Sequence, residues 1–379
     1  MHLLILADAV DTQKAGVHTY TIKLIENLLK LAPQNTYSFI HESKNKFFDE
    51  LKNEFKNSNH YIIPRKKIPG YNSFRKFYLI PKLIKELKPD IVFETSHIGP
   101  FNLPKAIKRA LIVHDLTPIL YPKFHILNST LIHKLLFKRI LKKADLIITT
   151  SKTTKQDIHN YTQTKAIFST TPLGVGAPNQ TTEQNSRTEL TTNYTISTPY
   201  FLYLGTLEPR KNLETLAEAF LELKQELNLP HKLILAGQKG WKIQKFLQKI
   251  DNNPDIIITG HVDEKTKSTL YKNAEIFIYP SFYEGFGLPP LEAMSHGVPV
   301  ICSNKGSLKE LYQNHALTFA PTDKAALKAK IQGILTNQNL RDQLVKRGLQ
   351  YSQNFTWQKT AQKTIAALNE LILDSSQKN

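Results

Sequence analysis

Short apolar runs punctuate the first half of the chain: Leu3 to Ala7, Tyr37 to Ile40, Tyr61 to Ile63, Ile91 to Phe93, Ala110 to Val113, Leu146 to Ile148 and Ala166 to Phe168. Stretches of helical spacing lie between them. Runs this short and this continuously apolar predict strands buried on both faces, and the intervening helical stretches predict parallel crossovers. From Gly174 to Pro199 the pattern lapses into a Thr-, Asn- and Gln-rich stretch that reads as a linker. It restarts at Tyr200 to Leu204, Leu233 to Ala236, Ile256 to Ile258, Ile276 to Tyr279, Val298 to Cys302 and Ala316 to Phe319. Trp357, Ala361, Ile365, Leu368 and Leu371 then mark a closing helix from Thr356 to Leu373. The pattern predicts two doubly wound α/β domains, 1–190 and 191–355, with 356–379 packing back toward the N-terminal one. Ligands of such sheets bind beyond the carboxyl ends of the strands, so chemistry is sought in the loops that follow them.

Composition narrows the class. A chain of 379 residues is too long for one ordinary core, and 41% hydrophobic with 22% charged residues excludes wholesale disorder. The single cysteine, Cys302, excludes an intrachain disulfide and a cysteine-based zinc site, and fits a reducing compartment. The net charge of +18 invites a nucleic-acid or membrane reading, but it is regional: residues 1–190 hold 28 basic and 15 acidic residues, the remainder 22 and 17. No apolar run approaches the roughly 18 to 20 residues a bilayer span needs, and Met1 to Ala7 reads as a strand, not a signal segment.

The most informative stretch runs from Ile276 to Met294. A buried strand enters a loop holding Glu284, Gly285, Phe286 and Gly287, and Pro289-Pro290 then opens a helix whose first turn takes Glu292. Loop glycines let backbone approach a ligand, and a helix start with unpaired N–H groups suits phosphate. Glu284 and Glu292 suit sugar or ribose hydroxyls, although an acidic loop and an ordinary first-turn glutamate fit the same pattern. After the strand Tyr200 to Leu204 come Gly205 and then Arg210-Lys211 beside a helix start, where two cations would neutralise a diphosphate; a solvated surface pair is the alternative. In the first domain Gly16 precedes a helix and either admits a ligand or makes a turn. His114, at the carboxyl end of a strand, either touches a reacting sugar or is a satisfied histidine. No P-loop, no complete G-x-G-x-x-G, no G-x-S-x-G and no H-E-x-x-H occurs, which disfavours P-loop ATPase, dinucleotide redox, serine hydrolase and zinc protease chemistry.

Together these segments resemble the family 4 retaining glycosyltransferases, over nearly the whole chain. The match is strongest from Glu284 to Glu292, which resembles that family's E-x7-E motif with Gly-Phe-Gly-Leu-Pro inside it. Arg210-Lys211-Asn212-Leu213 resembles its diphosphate-binding segment, and Thr259-Gly260-His261-Val262 with the helix through Leu270 and Tyr271 the segment along the base. Val113 to Pro118 and Thr150-Ser151-Lys152 resemble acceptor-domain segments. The resemblance implies the GT-B fold, two Rossmann-like doubly wound parallel-sheet domains facing a central cleft. It implies that Glu292 holds ribose hydroxyls, that Glu284 contacts the donor sugar, and that Gly285, Phe286, Gly287 and Leu288 line sugar and phosphate. Gly205, His261 and Val262 would complete the donor site, Gly16 would admit the donor phosphates, and His114 would touch the reacting sugar. Arg210 and Lys211 would stabilise the leaving diphosphate, so no metal and no cofactor is required.

The implied reaction is transfer of a hexose from a nucleotide sugar to a glycan or lipid-linked acceptor, on the cytoplasmic side, in surface polysaccharide or lipopolysaccharide synthesis. Leu235 to Trp241 resembles loops of mannosyl-transferring branches, which makes GDP-mannose the first donor and UDP-glucose the next. The basic and aromatic tract Arg65 to Lys88 would place the enzyme peripherally on an anionic membrane face; a solvated helix face is its alternative. A GT-B-fold epimerase is a rival that does not need Arg210 and Lys211 together with Glu284 and Glu292. A basic nucleic-acid-binding protein is a second rival, opposed by the absence of a recognised motif, so no nucleic-acid partner is expected.

Overall fold

The computed structural model describes residues 1–12, 16–96, 99, 102–176 and 198–376; most of the linker from Gly174 to Pro199, namely 177–197, lies outside them. Strands β1 (His2–Leu6), β2 (Thr36–His41), β3 (Ser58–Ile62), β4 (Ile91–Glu94), β5 (Lys108–Val113), β6 (Leu146–Thr149) and β7 (Ile167–Thr170) form one sheet in the order β3-β2-β1-β4-β5-β6-β7. Strands β8 (Tyr200–Leu204), β9 (Lys232–Ala236), β10 (Ile256–Gly260), β11 (Ile276–Tyr279), β12 (Val300–Ser303) and β13 (Leu317–Phe319) form a second, in the order β10-β9-β8-β11-β12-β13. Each pairing is parallel. Strands covered on both faces read as unbroken apolar runs, and β4, β6, β11 and β12 are buried along their whole length.

The largest departure from the sequence pattern is β3, which begins at Ser58 rather than Tyr61. It is an edge strand: Ser58, Asn59 and His60 pair with β2 on one side only and carry no continuous apolar signature.

The chain divides into two compact units, one of Met1–Ile119, Asn128–Gly174 and Trp357–Asn379, the other of Leu120–Leu127 and Val175–Thr356. The helix Trp357–Ser376 belongs to the first, where it packs along the helix Gly16–Leu31. Trp357, Ala361, Leu368 and Leu371 are buried there, and Thr360 donates to the Pro172 carbonyl at 2.7 Å. Truncating the fully buried Leu368 to Ala would cost about 2–5 kcal/mol. Among the described residues no helix is long and apolar enough to cross a membrane.

One residue of the Arg65 to Lys88 tract departs from both its lipid-facing and its solvated reading. Arg75 is buried, donating to both oxygens of Asp8 at 2.7 and 2.8 Å and to the Ile63 carbonyl at 2.6 Å. Asp8 follows β1, a partner that local spacing around Arg75 could not reveal. Arg65 also pairs inward, with Glu42 at 2.5 Å. Lys66, Lys67, Lys82, Lys85 and Lys88 stay exposed.

Candidate active site

Read from its own first strand, each sheet has the order 3-2-1-4-5-6, followed by a seventh strand in the first sheet, and reverses direction between the first and fourth strands. Loops leaving those two strands open beside one another, and this is where such sheets hold ligands. In the second unit the strands are β8 and β11, so the candidate site lies on loops 205–212 and 280–287.

The first loop runs through Gly205, whose N–H donates to the Ala236 carbonyl, into a tight turn Pro209–Lys211. Asn212 ends the turn in the left-handed conformation, at φ 57°, and its side-chain amide donates to the carbonyls of Pro280 and Pro321 at 3.2 and 2.7 Å. That side chain ties the first loop to the second. The second loop passes Glu284 and reaches Gly287 at φ 85°, where a Cβ would stand 2.4 Å from Leu308 Cδ2, so only glycine fits.

The helix Leu288–Ser295 follows. It begins at Leu288, so Glu292 is its fifth residue, one residue further in than a start at Pro289 gives and just past the first turn, which holds both prolines. Pro289 and Pro290 lack N–H groups, so the backbone donors at this helix start narrow to Leu288 and the residues before it.

Charged side chains converge where the loops meet. Glu284 Oε1 accepts from Lys211 Nζ at 2.7 Å, and Oε2 pairs with Arg210 Nη1 at 2.9 Å. Arg210 also donates to the Tyr283 carbonyl at 2.7 Å and to Glu208 Oε1 at 2.6 Å; Lys211 donates to the Tyr279 hydroxyl at 2.8 Å. Lys211, Glu208 and Glu284 are buried, so neither a solvated cation pair nor an acidic surface loop describes them. Burial works against the charge on Glu284, but Arg210 and Lys211 outweigh it and hold its carboxyl below the ordinary value. Burial, then Glu284, pushes the Tyr279 phenol up. Two carboxylates match two cations, which is what lets the group remain ionised away from water.

Glu292 stands in a neighbouring cluster. Lys267 Nζ donates to its Oε1 at 2.9 Å and the buried Tyr271 hydroxyl to its Oε2 at 3.0 Å. Both partners lie on the helix Glu264–Asn273, capped by Asp263. His261 is exposed and Val262 half-buried in the turn that feeds this helix. Phe286 is buried, its ring 6.1 Å from that of Phe355.

The remaining candidates belong to the first unit. His114 directly follows β5, with Nε2 3.1 Å from the Thr95 carbonyl and its ring edge-on to Tyr20 at 5.0 Å. Burial holds its pKa below the ordinary histidine value, so at neutral pH it is an uncharged ring. Gly16 begins its helix with nothing within 4 Å of an added Cβ. Among the described residues no group of three or more His, Cys, Asp or Glu is arranged to hold a metal.

Glu208, Tyr279 and Lys267 are not singled out as site residues by the sequence, and Tyr271 is marked there only as part of the base-side helix. Lys267 and Tyr271 carried one usable signal, their four-residue spacing on a helix, which stacks them on one face.

A model described as Glycosyltransferase Family 4 matches residues 15–175, and one described as Glycosyl transferases group 1 matches residues 192–351. The chain belongs to the family 4 glycosyltransferases. Among relatives of this glycosyltransferase, the O-antigen chain mannosyltransferase B of Escherichia coli is 29% identical over 97% of this chain and 99% of its own length. The O-antigen chain mannosyltransferase RfbU of Salmonella typhimurium is 26% identical over 66% of this chain and 67% of its own. Of solved structures, the HepE protein of Anabaena in complex with UDP and glucose superposes with a TM-score of 0.75 at 14% identity, covering 98% of this chain and 100% of the other. Sucrose-phosphate synthase from Thermosynechococcus elongatus gives 0.73 at 19%, covering 99% and 100%. At these identities the likeness is one of fold, and the fold is GT-B.

Proposed function

We propose that this glycosyltransferase is a retaining mannosyltransferase, using GDP-mannose to extend a glycan or lipid-linked acceptor in surface polysaccharide synthesis. The buried Arg210–Lys211–Glu284 cluster on the switch-point loops carries the reading. Relatives named as O-antigen mannosyltransferases support mannose and the polysaccharide setting.

In this reading the bond from sugar C1 to the diphosphate oxygen breaks as the acceptor oxygen bonds to C1 on the same face. The departing phosphate takes the acceptor's proton, and Arg210 and Lys211 stabilise the charge that develops on it, without a metal. Glu284 has both oxygens in ion pairs. That commits it to accepting hydrogen bonds from sugar hydroxyls rather than to covalent attack. Glu292 takes the ribose hydroxyls, and Gly205, Gly285, Phe286, Gly287, Leu288, His261 and Val262 shape the donor site. In the first unit Gly16 opens its helix and His114 is a neutral hydrogen-bonding ring. The exposed lysines of the Arg65 to Lys88 tract, with exposed Phe74 and Tyr78, meet anionic lipid on the cytoplasmic side.

Thermal shift with GDP-mannose, UDP-glucose and ADP-glucose tests the donor. A ligand at a hundredfold excess over Kd should add about 2.7 kcal/mol. GDP-mannose should stabilise most and be consumed with an α-mannosyl product; stabilisation by UDP-glucose alone would overturn the mannose assignment, and silence with every nucleotide sugar would overturn the donor site.

A further inference from the structure

Glu292 is the residue assigned to the donor ribose, yet its carboxylate is already gripped from one side. Lys267 Nζ reaches Oε1 and the Tyr271 hydroxyl reaches Oε2, each at about hydrogen-bond length, 2.9 and 3.0 Å. The grip is built, not incidental. Tyr271 is fully buried, its ring lying 5.2 Å from His296, and His296 in turn contacts Ser268 Oγ at 3.1 Å and the Glu292 backbone carbonyl at 2.8 Å. Lys267 is largely covered and is shared with Glu264 at 2.9 Å.

A carboxylate offers about four lone-pair directions. Two are taken by the helix Glu264–Asn273, one on each oxygen, which fixes the plane of the carboxylate and leaves one direction per oxygen. Two outward directions at the spacing of a carboxylate suit a vicinal diol, each hydroxyl donating to one oxygen. A single hydroxyl can use only one of them.

We propose that Lys267 and Tyr271 are positioning residues that turn Glu292 into a reader of the cis-diol of a ribonucleotide, so that preference for a ribo- over a 2′-deoxyribonucleoside diphosphate originates in this pair. The inference rests on the donor reading above. Lys267 holds one carboxylate oxygen and Tyr271, on the other, sets its rotation. Neither touches the reacting carbon, and both lie outside the Arg210–Lys211–Glu284 cluster.

The test pairs ligand and residue changes, measuring GDP and 2′-deoxy-GDP binding by calorimetry to the full chain and to Lys267→Met, Lys267→Arg and Tyr271→Phe. The wild-type chain should prefer GDP by about 10- to 30-fold, the loss expected for one hydrogen bond to a charged group. Lys267→Met and Tyr271→Phe should each bring that preference to about threefold or less by weakening GDP far more than 2′-deoxy-GDP, while Lys267→Arg keeps most of it. A purely structural role would weaken both ligands equally and leave the ratio unchanged, which overturns the proposal. In transfer assays the two variants should raise KM for the donor and leave kcat within about threefold. If the wild-type chain binds GDP without preferring it to the deoxy form, the diol reading falls alone; if it binds no nucleoside diphosphate, the donor reading falls with it.

Discussion

The two units share the strand order 3-2-1-4-5-6, with a seventh strand in the first, but load the carboxyl ends of their strands differently. In the second, Glu208, Arg210, Lys211 and Glu284 all come from the loops after β8 and β11, and carboxylates match cations in number. In the first, the segments after β1 and β2 supply the acids Asp8, Asp11 and Glu42, and the cations that pair with Asp8 and Glu42, Arg65 and Arg75, arrive from the tract that follows β3. The pKa directions follow. Burial and Asp8 push Glu42 up to about 7 against the pull of Arg65 and Arg75, whereas Glu284 lies below its ordinary value. The unit with the larger positive excess therefore spends two of its arginines on its own acids. Net charge describes a surface only after such internal pairs are removed.

The sharpest way to break this comparison is to delete one cation on each side. Lys211→Met should lower transfer about 10³-fold, the scale of losing one preorganised donor at a site of developing charge. Arg75→Met should leave nucleotide affinity within about twofold while lowering stability by about 3–5 kcal/mol, as expected when one partner of a buried pair is removed. Kinetics and denaturant unfolding on both variants check this; a large loss of nucleotide binding in Arg75→Met would erase the distinction. Within the second unit, Glu292→Ala should weaken donor binding about 10- to 100-fold, measured by calorimetry, because a charged acceptor for hydroxyls is lost.

The strands and the Glu284 to Glu292 motif were legible because each is written locally. Strands covered on both faces need continuous apolar runs, and a loop that closes against Leu308 needs Gly287. What was not legible joins residues far apart. Arg75 and Asp8 are separated by 67 positions and Lys267 and Glu292 by 25, so no local period relates them. Glu208 stands two residues from Arg210, and it is the tight turn Pro209–Lys211, not a helix or strand period, that sets the pair at 2.6 Å. The linker, at 177–197, lies outside the described residues.

The opposite pKa directions predict opposite responses to pH. Glu42 binds its proton more tightly in the folded than in the unfolded chain, so between its ordinary value of 4.5 and about 7 it makes stability fall as pH rises. Glu284 lies below its ordinary value, and His231 with Arg341 hold Glu275 down to about 2. The stability those two contribute is complete above about pH 4.5 and is lost as pH falls. Melting temperature against pH for the wild type and for Glu42→Gln checks the first unit. The substitution should flatten the slope from pH 5 to 7 by about one proton's worth and leave the acid limb intact; an unchanged slope would assign that window to another group.

The smallest expected effect concerns the surface left after internal pairing. In the first unit Ile68, Phe74 and Tyr78 are exposed beside Lys66 and Lys67, and the helix Leu127–Lys142 exposes Leu131 and Leu135 there, at 53% and 69%. That helix carries no acidic residue, while Lys134, Lys138 and Lys142 repeat at four-residue spacing, an arrangement that costs a few tenths of a kcal/mol per like-charged pair in water. The exposed leucines and the repelling lysines would both be relieved by an anionic bilayer, which takes up apolar side chains and pairs the cations. Lys67→Ser should weaken binding to phosphatidylglycerol-containing vesicles about fivefold, near 1 kcal/mol per lysine at the surface, and Lys239→Ser in the second unit should not. Sedimentation with anionic and neutral vesicles separates the two lysines. Equal losses would mean that the surplus charge acts only through its sum, and the division of labour between the units would then stop at their switch points.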